Sequence, residues 1–115
     1  MKQFDIYWVS LDPTIGAETK KTRPCVVLSS DAINASGSIV QVAPILPNHK
    51  KYLMVVNITP SKVNGLDKER NINIRYMRGV DGSRLGRKQG RLEKKYHLEC
   101  LEGINDLFAL YKGRL

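Results

Sequence analysis

The chain has 115 residues, a net charge of +8 and a hydrophobic content of 42%. This length fits one domain, which we expect to comprise residues 1–115, and the apolar content excludes a disordered chain. No stretch reaches the roughly 20 apolar residues of a membrane span. The chain starts MKQFD, without the apolar run of a signal peptide, so we expect a cytoplasmic protein. Cys25 and Cys100 have no CxxC spacing and are expected to be buried thiols.

Basic residues are concentrated in the second half of the chain. Between Lys68 and Lys95 there are ten lysines and arginines but only three acidic residues. A one-sided positive field raises the local concentration of phosphate groups and steers polyanions toward a surface. This pattern favours a nucleic acid or another acidic partner, although a general contribution to solubility also explains the charge.

Short runs rich in β-branched and aromatic residues predict five strands in the first 80 residues. Ser30 and Asp31 predict a short helical turn that continues to Asn34 and is ended by Gly37. The LPNHKK segment between the third and fourth strands predicts a turn that joins them as a hairpin. The predicted strands lie at residues 4–11, 25–30, 38–45, 52–58 and 71–80.

The C-terminal residues predict one amphipathic helix, because apolar side chains recur there at spacings of three and four. Such a stripe predicts a face that packs on the core or on a second subunit. Gly103 lies inside the helix, where glycine costs about 1 kcal/mol relative to alanine, and this indicates close packing. The predicted fold class is therefore α+β, β-rich, with one C-terminal helix. The stripe comprises Leu98, Leu101, Ile104, Leu107, Phe108 and Tyr111.

The most specific pattern in the chain lies at residues 4–30, FDIYWVSLDPTIGAETKKTRPCVVLSS. A strand ends in an Asp-Pro-Thr turn, and a polar loop with a glycine and a glutamate then closes at an Arg-Pro pair. In this order the residues resemble the N-terminal half of the MazF/PemK toxins of type II toxin–antitoxin systems. A weaker likeness continues through residues 38–58 and through VDGSRLGRKQGRL to the terminal helix. The positions that carry the pattern are Asp12, Pro13, Thr14, Gly16, Glu18, Arg23 and Pro24.

The resemblance implies an SH3-like (CcdB/MazF/PemK-type) small barrel with short helices that forms a homodimer. It implies a growth-inhibiting bacterial toxin, a metal-independent endoribonuclease that cleaves single-stranded RNA and leaves a 2′,3′-cyclic phosphate. It also implies an acidic antitoxin protein that inserts into the RNA groove and blocks it. From the residues themselves we expect no metal or other cofactor, because His49 and His97 have no cysteine or carboxylate at ligand spacing.

Arg23 is the first catalytic candidate. A guanidinium presents a planar fork to phosphate oxygens and stays charged at every working pH. The resemblance implies that the matching arginine is catalytic or stabilises the phosphate. The structural alternative is an arginine that only pins the loop through Asp12 or Glu18.

A further set of polar residues is predicted to bind RNA, because they lie on the same loop, at the hairpin turn or in the basic segment. The loop lysines have an alternative as a solvated charge pair. Tyr76 is expected either to stack on a base or to join the core, because it alternates with Ile72 and Ile74. The predicted RNA-binding residues are Glu18, Lys20, Lys21, Thr22, Asn48, Arg75, Tyr76 and Arg78.

Leu46 departs from the family pattern, which has a threonine or serine here whose hydroxyl works with the arginine. Leucine cannot transfer a proton, and losing one positioned acid–base group commonly costs about 10²–10⁴-fold in rate. His49 is the second catalytic candidate, because an imidazole titrates near neutral pH and lies three residues later. The alternative for His49 is an exposed turn histidine.

Two other functions stay open at this point. Leu46 favours a non-cleaving toxin of the same fold that acts on a protein target, as CcdB acts on gyrase. The charge is also consistent with a basic RNA-binding module that has no toxicity. Cleavage of RNA that persists in EDTA distinguishes the endoribonuclease from both.

Overall fold

The computed structural model describes residues 1–11 and 21–108. Within these residues the predicted α+β, β-rich fold with a C-terminal helix is confirmed. Neither of their α-helices has the length and apolar character that a membrane span requires. The strands are β1 (Asp5–Ser10), β2 (Thr22–Val27), β3 (Ile39–Pro47), β4 (Val55–Ile58), β5 (Arg70–Asn73), β6 (Arg78–Asp81) and β7 (Leu85–Arg91). The α-helices are α1 (Asp31–Ser36) and α2 (His97–Leu107), and 3₁₀ turns lie at Ile74–Tyr76, Gly82–Arg84 and Lys94–Tyr96.

β3 organises the sheet, because both of its edges are paired. β2 lies along one edge, where Cys25 is opposite Pro44, and β6 and then β5 share the other edge. The strand order is β4-β5-β3-β2-β1-β7, with β6 paired to β3 off this path. β2 and β3 therefore have a hydrogen-bonded neighbour along each edge. This pairing fixes the positions of the residues of β2.

The sheet carries an apolar core on each of its two faces. Successive side chains of a strand point to opposite faces, so alternate residues of β1 and β2 enter different cores. Ile6 and Val26 join the core that is closed by Cys100 of α2. Val9 and Cys25 join the other core.

The predicted hairpin between residues 38–45 and 52–58 is wrong. β4 pairs with β5, and β5 rather than β4 lies beside β3. The Asn57 side chain of β4 accepts a hydrogen bond from Lys50 N (2.9 Å) and donates to Lys50 O (2.9 Å), which ties the chain that arrives from β3 to β4. The backbone of β4 pairs with a strand from later in the sequence.

The predicted strand at 71–80 is broken by the 3₁₀ turn Ile74–Tyr76. The turn lets β5 and β6 pair with different stretches of the same edge of β3. The alternation of buried side chains stops after Ile74, and Tyr76 is 39% exposed. The core alternative for Tyr76 is therefore wrong.

β7 is a strand that the sequence pattern does not predict, because LGRKQGR is polar and rich in glycine. It forms along β1, where its backbone finds hydrogen-bonding partners. At Gly90 an added Cβ would lie 2.5 Å from the Val63 carbonyl oxygen. The glycine therefore allows the segment after β4 to lie directly against β7.

α2 buries a different stripe from the one predicted. Its most buried residues are Cys100 and Gly103, and a Cβ at Gly103 would lie 3.2 Å from the Cγ1 atom of Ile74. The close packing predicted at Gly103 is confirmed, and it turns part of the apolar stripe toward solvent. Packing of these exposed residues on a second subunit stays a prediction. The exposed members of the predicted stripe are Leu98, Leu101 and Phe108, and Tyr111 lies outside the described residues.

The two cysteines are free and buried, as predicted. Burial raises the pKa of the Cys25 thiol and of the Cys100 thiol to about 12. Both side chains are therefore protonated at neutral pH and behave as small apolar groups.

We expect neither thiol to react with a disulfide reagent in the native protein at pH 8, because only the thiolate is nucleophilic. Unfolding in guanidinium should release two reactive thiols. The folded pKa of each thiol lies above its ordinary value of 9.0, so the free energy of unfolding should fall as pH rises from about 9 toward 12. Rapid labelling of the folded protein at pH 8 would contradict this.

Candidate functional site

Arg23 is held in the sheet next to the point where β1 and β2 are joined. Leu11 N donates to Lys21 O (3.0 Å), and Ser10 and Thr22 form the last pair of the β1–β2 ladder. Arg23 is the next residue and pairs with Val9. A rigid two-strand base thus supports the arginine that the sequence motif marks.

The Arg23 side chain shares a face of the sheet with a second arginine. Arg23 lies two residues from Cys25 in β2, so both side chains point to the same face. Arg78 of β6 donates through Nη1 to the Leu11 carbonyl (2.9 Å). Burial raises the pKa of Cys25, while the positive charges of Arg23 and Arg78 act in the opposite direction. Two guanidiniums from different strands therefore flank one thiol.

Two buried polar atoms in this region have no hydrogen-bond partner among the described residues: Arg23 Nε and Asn73 Oδ1. Ile72 pairs with Ile45, so Asn73 at the end of β5 lies across from Pro44, and Pro44 pairs with Cys25. Asn73 is thus on the same face as Arg23. An unsatisfied buried polar group costs about 1–3 kcal/mol, which a ligand that supplies the missing partner would recover.

Leu46 occupies the place across from Arg23. The β2–β3 register pairs Cys25 with Pro44, and continuing it by two residues brings Leu46 opposite Arg23. Leu46 is half-buried and is paired with Asn71 on its other side. The Asn71 amide nitrogen lies 2.7 Å from Asn48 O, 3.2 Å from Pro47 O and 3.3 Å from Leu46 O, so it is engaged by backbone carbonyls. The position across from Arg23 therefore has no hydroxyl to supply.

His49 lies in the turn after β3. Its Nε2 atom is 2.6 Å from the Glu69 carboxylate and 3.0 Å from the Ile58 carbonyl oxygen. The side chains of His49 and Glu69 are about half exposed. The contacts seen among the described residues do not join this histidine–carboxylate pair to Arg23 or Arg78.

The family is decided by a comparison with family models. The model described as "PemK-like, MazF-like toxin of type II toxin-antitoxin system" matches residues 2–108. The chain belongs to this family of toxins. The resemblance carried by residues 4–30 is thereby confirmed.

Sequence and structural similarity to known toxins supports this assignment. The PemK-like toxin is 29% identical over 97 residues to endoribonuclease MazF9 of Mycobacterium tuberculosis, covering 80% of this chain and 82% of the relative. It shares its fold with MazF from Deinococcus radiodurans (TM-score 0.81, 22% identity, covering 96% and 97% of the two chains). It also shares its fold with an endoribonuclease from a mycobacterial species solved with its cognate antitoxin (TM-score 0.79, 14% identity, covering 97% and 98%). The predicted MazF/PemK-type fold is confirmed.

The remaining predicted residues of the toxin fall into three places. Lys21 and Thr22 are exposed at the base of the β1–β2 connection, next to Arg23. Arg75 and Tyr76 are exposed on the 3₁₀ turn that leads into Arg78. Asn48, with φ +67°, is exposed beside His49 in a separate turn. Glu18 and Lys20 lie outside the described residues.

Asn73 is a candidate site residue that the sequence analysis missed. The signal was present, because Asn71 and Asn73 alternate with Ile72 and Ile74 in a stretch otherwise typical of a buried strand. A buried amide group requires partners, and only the fold shows that Asn71 has them while Asn73 Oδ1 finds none among the described residues. Among residues 1–11 and 21–108, no group of three or more His, Cys, Asp or Glu side chains is arranged to hold a metal ion.

Proposed function

We propose that this PemK-like toxin is a metal-independent endoribonuclease that cleaves single-stranded RNA in the cytoplasm. The observation that carries the proposal is the placement of Arg23 and Arg78 on one face of the sheet, with Arg23 Nε buried and without a partner among the described residues. The naming of the M. tuberculosis relative as an endoribonuclease supports it. We further propose that residues 1–115 form one toxin domain that acts as a homodimer.

The proposed reaction uses the substrate's own 2′-hydroxyl. Its oxygen attacks the adjacent phosphorus, the bond to the 5′-oxygen breaks, and the products carry a 2′,3′-cyclic phosphate and a 5′-hydroxyl. The guanidiniums of Arg23 and Arg78 stabilise the charge that grows on the phosphate oxygens, which is usually the largest contribution to such catalysis. A guanidinium also fits two phosphate oxygens at once.

The proton transfers need a group other than residue 46. His49 is the proposed acid–base residue, and the Glu69 carboxylate 2.6 Å away would orient its ring. RNA bound across the face would have to bring the reacting atoms to the turn that carries His49.

The partner of a type II toxin is its antitoxin, and this toxin carries a net charge of +8. We propose that the antitoxin is acidic and covers the RNA-binding face. An acidic chain and an RNA strand would then compete for the same positive field. RNA binding is accordingly expected to weaken steeply as salt rises.

The direct test is incubation of the purified toxin with a long single-stranded RNA in EDTA, with the same sequence annealed as a duplex in parallel. We expect the single strand to be cut and the duplex to be spared. No cleavage at high toxin concentration would overturn the proposal and would direct the search to a protein target.

We expect His49→Ala to lower kcat by about 10²–10⁴-fold, because it removes the proposed acid–base group. His49→Gln keeps a hydrogen-bonding side chain that cannot titrate, so it should lose the same activity. Wild-type rates in both variants would show that His49 is only a turn residue.

A further inference from the structure

A cleft of about 440 Å³ opens on the face of β2 opposite to the Arg78 side. Trp8 of β1, Pro24 of β2 and Ile45 of β3 form its floor, and β7 and residues 65–67 form its walls. Thr22 and Arg23 also line it. Thr22 and Arg23 of β2 thus lie between the cleft and the face that carries Arg78. Arg23 is the proposed catalytic arginine.

Trp8 is held in a fixed orientation in this cleft. Its indole nitrogen donates to the Gln89 side-chain oxygen (2.8 Å), and the Gln89 amide in turn donates to the Gly65 carbonyl. The Arg87 guanidinium carbon lies 5.9 Å from the centroid of the Trp8 rings. An immobilised indole beside a guanidinium is the arrangement on which nucleic-acid bases stack in single-strand binding proteins.

The charge in the cleft is positive. Among the described residues, Arg70 and Arg87 line it together with one carboxylate, that of Asp67, and Arg23 adds its charge from the other face of β2. Arg70 Nη2 and Asp67 Oδ1 are 3.4 Å apart, and their side chains are 28% and 79% exposed. An exposed ion pair of this length contributes little, so Arg70 can turn to a phosphate at small cost.

The wall at residues 61–67 is rigid, so the cleft is formed before any ligand binds. Asn64 is fully buried, and its Oδ1 accepts from Ser61 N and Leu66 N, both at 3.0 Å. Its amide donates to Glu93 (3.1 Å), which lies beyond β7. Gly65 has φ +72°, and a Cβ there would meet the backbone of Gln89.

We propose that this cleft is a second nucleotide subsite, which binds a phosphate of the RNA strand outside the cleaved step. Arg70 and Arg87 would hold the phosphate and Trp8 would stack on a base. The inference rests on the proposed function, because the strand would reach the cleft by crossing Arg23. Acidic side chains of a peptide could also meet the arginines, but the fixed indole favours a nucleotide.

Trp8 is the single tryptophan of the chain, so its fluorescence reports directly on the cleft. The test titrates the toxin with a single-stranded 2′-O-methyl oligonucleotide, which cannot be cleaved, and follows both Trp8 emission and the anisotropy of a dye on the oligonucleotide. We expect the two signals to saturate together. Arg87→Gln and Arg70→Gln should each weaken binding roughly tenfold or more. Each should also reduce the slope of log K against log salt by about 0.7.

Lys88→Gln is the matched control, because Lys88 follows Arg87 in β7 but pairs with Asp5 (3.4 Å) away from the cleft. It should bind the oligonucleotide like the wild type. Equal losses in Arg87→Gln and Lys88→Gln would overturn the inference, since general charge would then explain both. Anisotropy that saturates without any change in Trp8 emission would also overturn it, even if RNA is cleaved.

Failure of the subsite and failure of the endoribonuclease give different results. If the toxin binds the oligonucleotide through Trp8 but cuts no RNA, the subsite is supported and the proposed cleavage is wrong. Poly-L-glutamate is the peptide probe. If it changes Trp8 emission and the oligonucleotide does not, the cleft binds acidic peptide and the nucleotide subsite is overturned.

Discussion

Replacing Arg23 with methionine is expected to lower the rate of RNA cleavage by about 10²–10³-fold, the usual cost of removing one donor that stabilises transition-state charge. Methionine keeps the apolar stem of the side chain but removes the guanidinium. Because Arg23 Nε is buried without a partner among the described residues, the same change should leave the free energy of unfolding equal or higher. Measuring kcat/KM and the thermal midpoint on one preparation tests both.

Loss of activity with unchanged or raised stability separates a functional arginine from a structural one. Arg23→Lys keeps the charge but not the two-pronged geometry, and it should recover only part of the rate. Arg91→Met, at the exposed end of β7, is the control and should cut RNA normally. A thermal midpoint several degrees lower in Arg23→Met than in the wild type would instead support the structural alternative, in which Arg23 only pins the loop.

Replacing Asn64 with alanine is expected to destabilise the toxin by about 2–4 kcal/mol, because it leaves several buried partners unsatisfied. The lost bonds include those to Thr59 O (2.9 Å), Glu93, Ser61 N and Leu66 N. The thermal midpoint should fall by roughly 10 °C or more. Asn105→Ala, on α2, is the control and should shift it by only a few degrees.

Asn64→Asp gives a sharper test of the same network. The aspartate keeps an oxygen for Ser61 N and Leu66 N but places a second carboxylate against Glu93. Two carboxylates in contact repel when both are ionised and can share a proton when one is not. The destabilisation should therefore lessen as pH falls toward 4. Equal destabilisation at pH 7 and pH 4, or none, would contradict the role given to Asn64.

Local patterns predicted the elements of this fold better than their pairing. The β-rich runs and the C-terminal helix are encoded in short stretches, so β1 to β4 and α2 were recognisable, while β5 and β6 were predicted as one continuous strand. β4 pairs with β5 rather than with β3, and no periodicity reveals which strand lies beside it. β7 is mostly polar, and its Gly90 is required by the close approach of the segment at Val63.

In the candidate site, too, local motifs were recognisable from the sequence, whereas groupings of distant residues were not. Arg23 was recognisable because its motif is compressed into one loop and strand, and Arg78 because the charge pattern marked its segment. Identifying Asn73 required knowing which buried amide oxygen has no partner within residues 1–11 and 21–108. The cleft at Trp8 required a fold that brings together residues from β1, β5 and β7. Distances between residues far apart in sequence are set by the sheet and cannot be read from composition.

The most direct test of metal-independent cleavage by the 2′-hydroxyl compares two oligonucleotides in EDTA. They are identical except that one has a single 2′-deoxy residue at the cleaved step. Mass spectrometry of the fragments identifies their ends. We predict that the all-ribose strand yields a 2′,3′-cyclic phosphate and a 5′-hydroxyl and that the 2′-deoxy strand stays intact. Cleavage of the 2′-deoxy strand at that step, or fragments with a 3′-hydroxyl and a 5′-phosphate, would contradict the mechanism built on Arg23.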